Sequence, residues 1–184
     1  MPSPAASTAS VNNALRRFRR NRRGSAAVEF ALVAPVFFAL LFAIIETAMV
    51  FFAGQVLETV TYDSARIVQT GQAQTAKYLK DDFKKDVVCT RPLANLLFDC
   101  MNGVSVDVQS YSSFTSVVIT DPIDASKKFT DNMQYNPGNA GDIVVVRLFY
   151  QWPLFVTGLG YNISNLAGSK RLLSATAAFR NEPY

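Results

Sequence analysis

The pattern of apolar and polar positions divides the chain into three regimes. The first is a run of 24 residues from Phe30 to Ala53 with a single charge, Glu46. Phe37, Phe38, Leu40, Leu41, Phe42, Ile44 and Ile45 form a block with no polar side, whereas a helix lying on a membrane surface keeps one charged face. As a helix the run measures about 36 Å, enough to cross a hydrocarbon core of about 30 Å. Pro35 is tolerated in a spanning helix when its surroundings satisfy the freed carbonyl. A cleaved secretory signal fits less well, because its apolar core is about 7–15 residues long and ends in a small-x-small site. Ala48-Met49-Val50-Phe51-Phe52-Ala53 offers no good site of that kind.

The second regime, Gly54 to Gln69, is amphipathic. Val56, Val60, Ile67 and Val68 alternate with Glu58, Asp63 and Arg66 at near-helical spacing, which predicts that the membrane helix continues outward. Gly71 is placed to end or bend it. Gln72 to Val88 reads as a second helix with Lys77/Asp81 and Asp81/Lys85 as i,i+4 pairs. The third regime alternates with a period of two. Val104, Val106 and Val108 predict a strand after the Asn102-Gly103 turn, and Val117-Val118-Ile119 a second one. Ile143 to Gln151, apolar on both sides except at Arg147, predicts a central strand stopped by Pro153. Leu173, Ala175, Ala177 and Phe179 make one face of a last strand. The fold class is therefore α+β: a long N-terminal transmembrane helix, an additional helix and an antiparallel sheet of about four strands. The expected divisions are a leader at 1–24, the transmembrane helix at 25–53, a helical region at 54–88 and a β-rich domain at 89–184.

Charge gives this outline an orientation. The formal net charge of +4 is unevenly spread. Arg16, Arg17, Arg19, Arg20, Arg22 and Arg23 crowd the leader, which has no acid, and beyond Ala53 twelve basic residues balance twelve acidic ones. Lys and Arg beside a span stay cytoplasmic, so the leader is expected in the cytoplasm and the C-terminal domain across the membrane, in the periplasm. The Pro/Ser/Ala-rich start of the leader is expected to be disordered. The adjacent span argues against a nucleic-acid arm, and the lack of a cleavage site against a twin-arginine signal. Cys89 and Cys100, the two cysteines, have ten residues between them and are not a CxxC pair. In an oxidising compartment they are expected to form a structural disulfide. The chain has no histidine, so no His-dependent triad is available. No phosphate loop, HExxH or calcium loop is present either. Asp81-Asp82 and Asp121/Asp124 read as exposed charge and turn chemistry. No enzyme activity, cofactor, metal site or nucleic-acid partner is expected.

One stretch carries more than an anchor. Gly24 is followed by small and apolar residues, then Glu29, then the long apolar helix. This resembles the processing site of the type IV pilin superfamily. Arg23-Gly24-Ser25-Ala26-Ala27-Val28-Glu29-Phe30-Ala31-Leu32-Val33-Ala34-Pro35 is similar to the opening of TadE-like proteins, pseudopilins of the Tad (tight adherence) pilus systems. The Glu46 position, Ser64-Ala65-Arg66 and the terminal Arg180-Asn181-Glu182-Pro183-Tyr184 are also similar to that family. The resemblance implies a pilin-like outline, cleavage between Gly24 and Ser25 by a prepilin peptidase, and a role for Glu29 in export and assembly, with Phe30 next to it in the motif. A carboxylate of a neighbouring subunit would neutralise the new ammonium of Ser25 where the dielectric is low. Ser25 stands where ordinary type IV pilins carry a large apolar residue, which leaves N-methylation open. The implied partners are the inner membrane, other pilins or pseudopilins, the Tad machinery and the prepilin peptidase. Ala27, Ala31, Pro35, Ala39, Ala43 and Thr47 recur every four residues, a row of small residues along which another helix can approach closely. Two functions from different classes remain: a minor pseudopilin of Tad pilus assembly, and an uncleaved single-pass protein whose periplasmic domain binds envelope partners or a ligand.

Overall fold

The computed structural model describes residues 23–157 and 161–184. The leader arginines Arg16, Arg17, Arg19, Arg20 and Arg22, and the expectation of disorder before them, lie outside the described residues. The chain divides into two compact units, residues 1–44 and 45–184. Helix α1, Arg23–Gln69, is a single element of 47 residues with Pro35 inside it, so the apolar run and the amphipathic stretch that follows it are one helix, as expected. In the first unit the large apolar side chains from Val28 to Ile44 are exposed on every side of the helix.

In the second unit α1 changes character. Val50, Ala53, Val56, Leu57, Val60, Thr61, Ser64, Ala65 and Val68 are buried, a stripe with the helical period. The helix stops at Gly71, whose φ of 74° is left-handed and whose amide donates to the carbonyl of Val68, as helix-ending glycines do.

The expected helix at 72–88 is broken. Helix α2 is Gln72–Thr75, Lys77 takes φ 52°, and α3, Lys80–Phe83, runs into a π turn at Lys84–Val88. On one continuous helix Tyr78 and Phe83 would point about 140° apart. Both pack on the same core, and the break allows it. The predicted Lys77/Asp81 and Asp81/Lys85 pairs are not among the ion pairs of the described residues. Helices α4, Pro92–Leu97, and α5, Cys100–Gly103, follow. The expected Cys89–Cys100 disulfide is formed, with the Cα atoms 5.7 Å apart.

Three strands form an antiparallel sheet in the order β1-β2-β3: β1 Val104–Tyr111, β2 Ile143–Pro153 and β3 Lys170–Arg180. β2 is central, as its apolar run implied. Val106 pairs with Leu148 and Val108 with Val146, while Leu148 pairs with Ala175 and Val146 with Ala177. These residues form the face that shares a core with α1. The architecture is α+β and pilin-like. The expected fourth strand is absent: residues 117–119 have no strand pairing, and Val118 and Ile119 are exposed. The edge of β1 is occupied instead by residues 134–136. Val108 donates to Gln134 and accepts from Asn136.

The opposite sheet face is covered by the β1–β2 connection and part of the β2–β3 connection. Phe149, Leu166 and Leu172 make a second apolar cluster with Ile123, Phe129 and Met133. Arg147 is buried there and donates through Nε and Nη2 to Asp107 at 2.9 and 2.7 Å. Its Nη1 donates to the carbonyl of Thr120, and Asp107 also accepts from the Gln134 amide at 2.8 Å. One ion pair thus ties two points of the connection to the sheet. Removing one member leaves the other charge buried and unpaired, which costs about 3–5 kcal/mol. Asp107→Ala is therefore expected to lose that much in denaturant unfolding of the detergent-extracted chain. The double change Asp107→Leu/Arg147→Met is expected to recover most of it.

Tyr135 lies against Phe83 with ring centroids 5.4 Å apart, and its buried hydroxyl finds no partner among the described residues. Burial, with Asp82 nearby, pushes its pKa up from 10.0 to about 12. The fold accommodates the neutral phenol and resists the phenolate, so stability is intact below pH 10 and declines as the pH rises toward 12. Tyr135→Phe is expected to flatten that alkaline decline, read from thermal unfolding across this range.

Candidate functional site

The residues singled out from the sequence fall in two places on α1. At its start, Gly24, Ser25, Glu29 and Phe30 occupy the first two turns and are exposed. A Cβ at Gly24 would meet no atom within 4 Å. Ser25 and Glu29 are four residues apart on the helix, so they share one face. The peptide bond between Gly24 and Ser25 lies in the first turn, where amides lack intrahelical partners and glycine weakens the helix further. That bond is the easiest in α1 to draw into an extended conformation.

The row of small residues is not uniform. Ala27, Ala31 and Pro35 are exposed, Ala39 is half-buried and Ala43 is buried. A strict four-residue repeat drifts about 40° per step around a helix, so the row winds rather than forming a straight strip. At its far end the Thr47 hydroxyl is hydrogen-bonded to that of Tyr161.

The second place is Glu46. Its side chain is buried at 8 % exposure although it belongs to the apolar run. The carboxylate accepts from the amide of Phe155 at 2.5 Å and from that of Val156 at 3.2 Å. Both amides lie just beyond β2, after Leu154, and are 109 and 110 residues away in sequence. Two converging N–H groups satisfy a carboxylate strongly, and the carboxylate in turn satisfies amides that leave the sheet ladder at Pro153. The sequence offered no sign of this partner.

The C-terminal pentapeptide closes the far end of α1. The Arg180 guanidinium donates to the Gly141 carbonyl. Buried Asn181 donates through its side-chain amide to the carbonyls of Pro137 and Asn139. The Glu182 amide donates to the carbonyl of Gln69, the last residue of α1. The ring of Tyr184 covers Gly71 so closely that a Cβ there would lie 2.3 Å from it. Ser64 and Ala65 are buried in the core, and Arg66 is exposed.

This ordering of α1, with an accessible first turn, an apolar middle and a face packed on a sheet, can be compared with known families. The model of the TadE-like protein family matches residues 24–66. Over that stretch, about a quarter of the chain, the protein is similar to the TadE-like family. No curated protein and no solved structure gives a significant match. The TadE-like segment lies entirely within α1 and includes Gly24, Glu29 and Glu46. Among the described residues no group of three or more Cys, Asp or Glu side chains is arranged to hold a metal ion.

Glu46→Ala removes the acceptor of two amides. The amides of Phe155 and Val156 are then expected to exchange hydrogen at least tenfold faster, as the loss of about 1.4 kcal/mol or more of local protection implies. The amides of β1 should be unchanged, and exchange followed by mass spectrometry reads both.

Proposed function

We propose that the protein is a minor pseudopilin acting in Tad pilus assembly and secretion. In this reading residues 25–53 anchor it in the bacterial inner membrane, with the N-terminus cytoplasmic and the sheet domain periplasmic. A prepilin peptidase cuts after Gly24. The observation that carries the reading is the coincidence of the TadE-like match with one uninterrupted helix. The family's opening, the Gly24-Ser25 bond and Glu29 all stand at that helix's start.

The mechanism follows from charge and packing. The leader arginines hold the N-terminus on the cytoplasmic side. Cleavage at Gly24 removes them and creates an ammonium at Ser25, one helical turn from Glu29. Before cleavage Glu29 is a lone carboxylate at the edge of the apolar layer, which is costly. After cleavage, the new ammonium of its own chain or of a neighbour can neutralise it. Pairing between neighbours favours staggered packing of the helices, and the exposed Ala27, Ala31 and Pro35 allow close approach. The sheet domain remains outside and presents its surface to the pilus machinery.

N-terminal sequencing of the membrane-extracted protein, with and without the prepilin peptidase, tests this. The expected result is a peptidase-dependent start at Ser25 that Gly24→Ala abolishes. An intact leader in both cases would leave an uncleaved single-pass protein, and attention would pass to what its outer domain binds.

A further inference from the structure

The residues that clasp Glu46 have a second property. Leu154 is buried and its amide donates to the carbonyl of Ser169, yet the next residue, Phe155, is 86 % exposed. No other large apolar side chain among the described residues is as exposed. It is held, through its own amide, at the level of Glu46. On α1, Phe51 and Phe52 lie five and six residues beyond Glu46 and are themselves exposed. Phe155 therefore stands about 8 Å to the membrane side of exposed phenylalanines on the anchor helix. Counted from Phe30, about 20 residues of helix fill a hydrocarbon core and end near Met49, which puts Glu46 and its clasp within the outer boundary of that layer.

The surrounding sequence fits this depth. No charged residue occurs from Leu148 to Ser169, and the first to follow are Lys170 and Arg171. The register sets Pro153 opposite Lys170 and Trp152 opposite Arg171. The Trp152 ring is half-buried against Phe98 and Tyr150 and Arg171 donates to the Ile163 carbonyl, so the exposed cation beside the apolar tip is Lys170, a residue type that sits at the boundary between acyl chains and headgroups. Backbone at that depth must find partners inside the protein. The amides of Phe155 and Val156 have theirs in Glu46, and a carboxylate placed among lipid tails is likewise satisfied by them.

We propose that the start of the β2–β3 connection is a second membrane contact. Phe155 and Val156 insert into the leaflet remote from the N-terminus, and Lys170 reaches its phosphates. The connection then fixes the sheet domain against the bilayer instead of leaving it on a single flexible stalk. The inference rests on α1 being a membrane span, and its test separates the two.

The full chain carrying Trp152→Phe and Phe155→Trp is reconstituted into vesicles of phosphatidylethanolamine and phosphatidylglycerol. Part of the lipid is brominated on its acyl chains. The expected result is a blue-shifted emission quenched by the brominated lipid to an extent comparable with Phe42→Trp in the same background. Quenching at position 42 but not at 155 overturns the inference alone, and quenching at neither overturns the span as well. A blue shift that follows protein concentration and ignores brominated lipid means that a second copy covers Phe155, and also overturns it. In the unaltered protein, a lipid with a photoactivatable group on its acyl chain is expected to label the peptide containing Phe155. Labelling confined to α1 would sink the proposal without any substitution.

Discussion

An apolar surface that runs all the way round a helix cannot be covered by one sheet, and everything else in this chain follows from how α1 is removed from water. A sheet contacts one side of a helix. It accounts for the stripe from Val50 to Val68 and can do nothing for a segment such as Phe37 to Ile45, whose large side chains point in every direction. Those residues need a medium that surrounds them, which is lipid or a bundle of like helices. The change from a helix that is apolar all round to one with an apolar stripe happens within the single helix α1. Glu46 stands at that change. It is where the chain uses a polar side chain to satisfy the amides of its own loop.

The sheet is small for the work it does, and its central strand explains how it suffices. β2 is buried on both faces from Ile143 to Phe149. One face meets α1, and the other is sealed by connections that carry little regular structure of their own. Apolar contact from Ile123, Phe129 and Met133 would leave those connections free to slide. Asp107 and Arg147 fix them at defined points through directional bonds to the backbone. The polar pair supplies position, and the apolar cluster supplies burial. The disulfide performs a similar task on the α1 side, tying the irregular helical segment to the chain just before β1.

Both ends of α1 bear on function. A first turn with an accessible Gly24-Ser25 bond suits a peptidase, and the far end of α1 is tied to the sheet. The pentapeptide Arg180 to Tyr184, which the sequence presented only as a resemblance, acts as a lock there: it joins β3 to the end of α1 and the 137–141 turn.

Much of this was legible in the residues. The extent of α1, its stop at Gly71, the central place of β2, strands β1 and β3 and the disulfide all come from local properties. Those are the period of apolar positions, a glycine able to take positive φ, and the scarcity of cysteine. Two local expectations failed because a distant competitor won. Residues 117–119 have the composition of a strand, but the edge of β1 went to residues 134–136. Residues 72–88 have the composition of a helix, but Tyr78 and Phe83 had to reach the same core. The partners of Glu46, Arg147 and Gly71 lie 27 to 113 residues away along the chain. The sequence by itself determined which segments are helix or strand and which must leave water, because those follow from side chains a few residues apart. Only the tertiary structure decided which buried charge meets which amide or guanidinium, because that depends on where the folded backbone brings remote groups together.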